Sequence, residues 1–115
     1  MNPHLAQSVR VLDLLLKQLG PHASVRHAWL LLQVASAGPQ GLDQREIVRA
    51  IGTAAASRIA QALGVLGWRR HAPGERVPGA GLIESHQDPK DRRLRRLTLT
   101  PAGRRLIDRM EETAA

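Results

Sequence analysis

The chain has 115 residues, with 17 Lys or Arg against 10 Asp or Glu, five His and a formal net charge of +7. That length fits one domain, residues 1–115, able to bury about 65% of its unfolded surface, and a hydrophobic content of 43% sets it apart from a disordered tail. The absence of cysteine excludes a disulfide scaffold, a thiolate zinc site, a cysteine nucleophile and a thiol redox sensor.

Taken in chain order, residues 3–19 read as a helix: Leu5, Val9, Leu12, Leu16 and Leu19 follow a 3–4 spacing and Gly20-Pro21 stops it. Val11, Leu14 and Leu15 widen the apolar surface beyond one stripe, so the helix needs both its own core and a second subunit. Leu5, Val9, Leu12 and Leu16 are the expected homodimer contacts. Ser24 can cap a second helix reaching Ala37, with Val25, Ala28, Trp29, Leu32 and Ala35 on its buried side, before Gly38-Pro39-Gln40-Gly41 breaks the chain.

A helix-turn-helix is expected over residues 43–66. Asp43 is the N-cap of its first helix, Glu46 completes a capping-box-like pair, and Leu42 with Ile47 forms a hydrophobic staple. Gly52 ends that helix and Thr53 caps the next, which runs to about Leu66 with Ala56, Ile59, Ala60 and Leu63 inward. Ala54, Ala55, Ser57, Arg58 and Gln61 should face outward. Residues 68–81 read mostly as an irregular loop, although Trp68 to His71 is also compatible with a short strand. Residues 82–100 form a hairpin: a strand from Leu82 to Ser85, turn chemistry over Gln87 to Arg92, and a return strand with Leu97 and Leu99 inward and Thr98 and Thr100 outward. A last helix over 101–113 starts with Pro101 at its first position. The fold class is mainly α with a small β-hairpin, a winged helix-turn-helix.

The charge is uneven. Residues 1–67 carry six basic and three acidic side chains, whereas Trp68 to Arg105 carries ten basic and four acidic ones. A concentrated basic segment beside a near-neutral scaffold is the footprint of a polyanion binder. The only aromatic residues are Trp29 and Trp68, too few for the base-stacking platforms of single-strand binders. Fifteen of the 17 basic residues are arginine, whose planar fork suits phosphate and guanine.

Other chemistry finds little support. His22 and His27 lack further ligands, so no metal site is expected. Gly74 to Gly81 lacks the Gly-Lys-Ser/Thr ending of a phosphate loop. Glu84, Ser85 and His86 would alternate across a strand instead of converging. The expectation is a protein that is not an enzyme and has no cofactor. No apolar run approaches the roughly 20 residues that span a bilayer, and Met1-Asn2-Pro3-His4 has neither part of a secretory signal. A soluble, cytoplasmic protein with no membrane partner is therefore expected.

The run Leu42-Asp43-Gln44-Arg45-Glu46-Ile47 with Ile51-Gly52, the set Ser57-Arg58-Ile59 with Leu63, and above all Asp88-Pro89-Lys90-Asp91-Arg92-Arg93 followed by Leu97-Thr98-Leu99-Thr100-Pro101-Ala102-Gly103 resemble the multiple-antibiotic-resistance-regulator (MarR) family of bacterial transcription factors. The resemblance spans residues 42–66 and 82–107, somewhat under half the chain. The family's long C-terminal dimerisation helix is not among residues 1–115, and residues 68–81 stand where the family runs almost directly into its wing. The resemblance implies that Arg93 enters a DNA minor groove, oriented by Asp91. A homodimeric, sequence-specific regulator of double-stranded DNA, acting as a repressor, is then expected. Ser57, Arg58 and Gln61 would lie near base edges or phosphates of the major groove, with Ala54 and Ala55 permitting close approach. Lys90, Arg92, Arg95 and Arg96 would serve the wing, and Arg69, Arg70 and Arg76 would add phosphate contacts. A small-molecule effector is compatible with the resemblance, but the residues name none. Two other functions fit the same fold: a phage- or plasmid-type accessory DNA binder in replication or partition, and a winged-helix module that binds another protein.

Overall fold

Local capping signals set the helix boundaries. Asn2 accepts the His4 N–H through its side chain and Pro3 occupies the first helical position, where its missing N–H costs nothing. Asp43 accepts the Arg45 N–H at 2.9 Å, the second helical position and not the third that a capping box with Glu46 requires. In a computed structural model, residues 2–20, 23–65, 68–70 and 74–114 are described, with the side chains of 68–70 and 114 excepted. Among them the order is α1 (Pro3–Leu19), α2 (Val25–Ala37), β1 (Leu42–Asp43), α3 (Gln44–Ile51), α4 (Thr53–Leu63), β2 (Trp68–Arg70), β3 (Arg76–Pro78), β4 (Ile83–Gln87), β5 (Arg95–Leu99) and α5 (Pro101–Ala114).

The molecule is mainly helical with a small three-stranded antiparallel sheet of order β1-β5-β4, an arrangement compatible with a winged helix. Ile83 lies opposite Leu99 and Gln87 opposite Arg95, while Leu42 and Asp43 pair with Leu97 and Arg96. The core gathers Leu15 and Leu19 of α1, Leu30, Leu31 and Val34 of α2, Ile47 of α3, Ala56, Ile59 and Leu63 of α4, Leu82, Ile83 and Leu97 of the hairpin, and Leu106 and Met110 of α5. Leu42 and Ile47 both belong to it, as the expected staple requires. No helix among the described residues is long and apolar enough to cross a membrane.

Several expectations need correction. The buried face of α2 is Leu30, Leu31 and Val34, whereas Val25 and Leu32 are exposed. Thr53 is the first residue of α4 and not its cap; Gly52 precedes it at φ 86°, a left-handed conformation that makes glycine the suitable hinge between α3 and α4. The α4 helix ends at Leu63, short of Leu66, and Ala55 turns inward, 9% exposed. Residues 68–81 are not a plain loop: β2 and β3 pair antiparallel, with Arg69 opposite Val77. This second hairpin returns to α4 through N–H bonds from Ala80 to the Ala62 carbonyl and from Leu82 to the Leu63 carbonyl. The β4 strand starts one residue later than expected, at Ile83, and runs to Gln87. Thr100 is buried and not outward, because its hydroxyl donates to the Gly81 carbonyl at 2.6 Å and accepts the Gly103 N–H at 3.0 Å, opening α5.

Candidate nucleic-acid interface

The β4–β5 hairpin leaves the core at its outer half. Ile83 is buried, but Glu84, Ser85, His86 and Gln87 are all exposed, so both faces of β4 meet solvent there. Asp88 closes this end. Its Oδ1 accepts the Lys90 N–H at 2.8 Å and the Asp91 N–H at 3.3 Å, an Asx turn across Pro89. Backbone bonds from Asp88 N–H to the Leu94 carbonyl and from Leu94 N–H to the Asp91 carbonyl complete the turn.

Arg93 stands at this turn with its side chain 88% exposed. Its Nε and Nη2 each donate to an Asp91 carboxylate oxygen at 3.1 Å, and its own N–H donates to Asp91 Oδ1. The bonds to Arg93 hold the Asp91 carboxyl below the usual carboxylate range. An ion pair this exposed adds little to the stability of a fold, so what it supplies is a fixed direction for the guanidinium. Lys90 and Arg92 are exposed beside it.

The two other arginines expected to serve the wing are engaged differently. Arg95 donates from Nε to Ser85 Oγ and from Nη2 to the Ser85 carbonyl, both at 3.0 Å. Arg96 is the less exposed: its Nε meets Asp88 Oδ2 at 2.8 Å and its Nη1 meets the Gly41 carbonyl at 3.3 Å. The ion pair, with side chains 35% and 11% exposed, joins β5 to the hairpin turn, and the Gly41 bond ties Arg96 to the segment entering α3. The Asp88 carboxyl is lowered, first by the Arg96 hydrogen bond. Arg96 thus acts chiefly as a strut.

On α4, Ala54, Ser57, Arg58 and Gln61 are exposed together, whereas Ala55 does not join them. Arg76 of β3 is exposed; the Arg69 and Arg70 side chains lie outside the described residues, as do all of His22 and His71. Arg45, absent from the expected contacts, repeats the Asp-x-Arg spacing of the hairpin turn: its Nη2 meets Asp43 Oδ2 at 2.7 Å and its side chain is 58% exposed. Hydrogen bonds from Arg45 pull the Asp43 carboxyl down to about 2. The repeated tripeptide spacing was the available sequence signal.

On α1, Leu5, Val9, Leu12 and Leu16 are 60%, 47%, 53% and 55% exposed, an uncovered apolar stripe facing away from buried Leu15 and Leu19. Between α1, α2 and α5 lies a separate cleft of about 320 Å³, lined by Val11, Leu32, Ala35, Ser36, Ile107, Met110 and Glu111. Comparison with protein-family models, curated proteins and solved structures finds no match for this chain.

Proposed function

We propose that this chain is a winged helix-turn-helix protein that binds double-stranded DNA as a homodimer and regulates transcription, with repression the sign that the MarR resemblance implies. One observation carries the reading: Arg93, 88% exposed, is held bidentately by Asp91 at the end of a hairpin that extends beyond the core. In this reading α3 and α4 are the helix-turn-helix, α4 enters the major groove with Ser57, Arg58 and Gln61, and the β4–β5 wing reaches the adjacent minor groove. A narrow minor groove concentrates negative potential and attracts arginine. Asp91 occupies only Nε and Nη2, so Nη1 and the remaining Nη2 hydrogen stay free to donate.

The α1 stripe supports the dimer. Leu5, Val9, Leu12 and Leu16 are separated by four, three and four residues, the alternation of a two-helix seam. An isologous dimer would present two α4 helices to half-sites about one duplex turn apart.

The test is a mobility-shift selection from a genomic fragment library at ~150 mM salt, where nonspecific attraction is weak. Retention of a defined set of fragments against competitor DNA is expected. Fragments from promoters support the regulator, and origin repeats point to an accessory replication or partition protein. If binding is only weak and salt-sensitive, the DNA reading fails in favour of a protein-interaction module.

A further inference from the structure

We propose that Arg45 is a contact to the duplex backbone, clamped by Asp43 as Arg93 is clamped by Asp91, so that the first turn of α3 holds phosphates while the hairpin tip enters the minor groove. This rests on the DNA-binding reading above and adds a residue and a binding geometry to it.

The two arginines share one pose. Arg45 donates from Nε to both Asp43 oxygens, at 3.2 and 3.1 Å, from Nη2 to Oδ2 at 2.7 Å, and from its backbone N–H to Oδ1 at 2.9 Å. Arg93 makes the same side-on approach, with its backbone N–H on the same oxygen as its Nε. In each case an aspartate two residues earlier takes the Nε edge and bonds Nη2 but not Nη1. A fork held on one edge and open on the other suits a phosphate oxygen pair, and it reaches that state with little further loss of side-chain freedom.

The two clamps also belong to one rigid unit. Asp43 lies opposite Arg96 across the β1–β5 ladder. Arg96 bonds Asp88 and the Gly41 carbonyl, and Asp88 in turn holds the N–H groups of Lys90 and Asp91. An unbroken set of hydrogen bonds and strand pairing therefore runs from the start of α3 to the wing tip. The two guanidiniums are close enough to act on one another as like charges, and Arg45 is drawn by Asp91 and Asp88. Like charges that act on one another are relieved by nearby anions, and a nucleic-acid backbone provides a row of them.

Backbone contacts need no chosen sequence, so the probe is a fluorescein-labelled duplex of mixed sequence, titrated by fluorescence anisotropy over a range of salt. Arg45→Ala should weaken binding about tenfold and flatten the log–log salt slope by ~0.9. Arg45→Lys should keep the slope but bind several-fold more weakly, because an ammonium cannot reproduce the fork. Arg10→Ala, an exposed change on α1, should leave the slope as it is; an equal loss there would reduce the Arg45 effect to net charge and overturn the proposal. If Arg45→Ala fails to fold by circular dichroism, Arg45→Lys decides alone, and wild-type affinity in it overturns the proposal. Loss of affinity in Arg93→Ala with wild-type behaviour in both Arg45 variants refutes this inference and leaves the DNA reading intact. No duplex binding by the wild-type chain refutes both.

Discussion

Asp91 and Arg93 allow two opposed electrostatic outcomes to be separated by sign. If the carboxylate only screens the guanidinium, removing it raises the net charge above +7 and should strengthen attraction to any duplex. If it instead aims the guanidinium, through the two 3.1 Å bonds to Nε and Nη2, removal releases the side chain and binding must again meet its ordering cost. With Arg93 88% exposed, Asp91 is its side-chain partner among the described residues, so aiming is the expected role. Asp91→Ala should therefore weaken binding to the selected genomic fragments several-fold while leaving mixed-sequence affinity equal or higher, both read by anisotropy at one salt concentration. Stronger binding to both would show screening. The run Arg92-Arg93-Leu94-Arg95-Arg96 reads as uniform basic surface along the chain, yet Arg95 and Arg96 differ from Arg93 because their partners are distant. Arg96 meets Gly41, 55 positions away, and Asp88, eight positions away; no local pattern announces either contact.

At the level of elements, close backbone approach and capping decide where α5 and α2 sit. A side-chain carbon on Gly103 would collide with the Leu82 carbonyl oxygen and press on Leu99, so glycine lets the first turn of α5 seat against the start of the hairpin. Gly103→Ala should cost about 1–3 kcal/mol through forced separation of the two, seen as a lower midpoint in urea with an unchanged m-value. The α2 start rests on His27, whose Nδ1 accepts the Ser24 N–H at 2.9 Å and lies 2.8 Å from Ser24 Oγ. Burial lowers the His27 pKa below 6.5, and protonation would fill the accepting lone pair. Since the folded-state value lies below the unfolded one, the stabilisation is complete above pH 6.5 and is lost as pH falls beneath it. The melting temperature should decline over that interval in the wild type, and His27→Gln, an acceptor that does not titrate, should flatten the decline. The cap at Asp43, the start of α5 at Pro101 and the stop at Gly20 were legible because each is decided within a few residues. The buried face of α2 was not. Val25, Ala28, Trp29, Leu30, Leu31, Leu32, Val34 and Ala35 ring the helix with apolar groups, so its periodicity selects no side, and packing against α4 and β5 does.

For the whole molecule, what was legible is the order of the five helices and the β4–β5 hairpin, and what was not is the β1 strand and the pairing of β2 with β3. Glycine and proline mark residues 68–81 as irregular, and the pairing of β2 with β3 becomes visible only with the register of Arg69 against Val77. The α1 helix carries the same lesson in the opposite direction. Its apolar arc is wider than one core can use, and the fold buries Leu15 and Leu19 while leaving Leu5, Val9, Leu12 and Leu16 in solvent. A contiguous apolar stripe on a chain of +7 charge is a liability unless a second copy covers it. Self-association along this seam would also serve the proposed DNA recognition, because a single winged helix offers few base contacts and two linked copies multiply them. Sedimentation at micromolar concentration should therefore give twice the 12.6 kDa chain mass. Val9→Glu combined with Leu12→Glu should give the single mass, since buried like charges oppose each other across a two-fold axis. The same variant should keep its melting transition, because neither residue belongs to the core, and should lose most of its affinity for the selected fragments while retaining weak mixed-sequence binding. A monomeric wild type would remove α1 from the interface, and a monomeric variant that held the selected fragments as tightly as wild type would show that recognition needs only one copy.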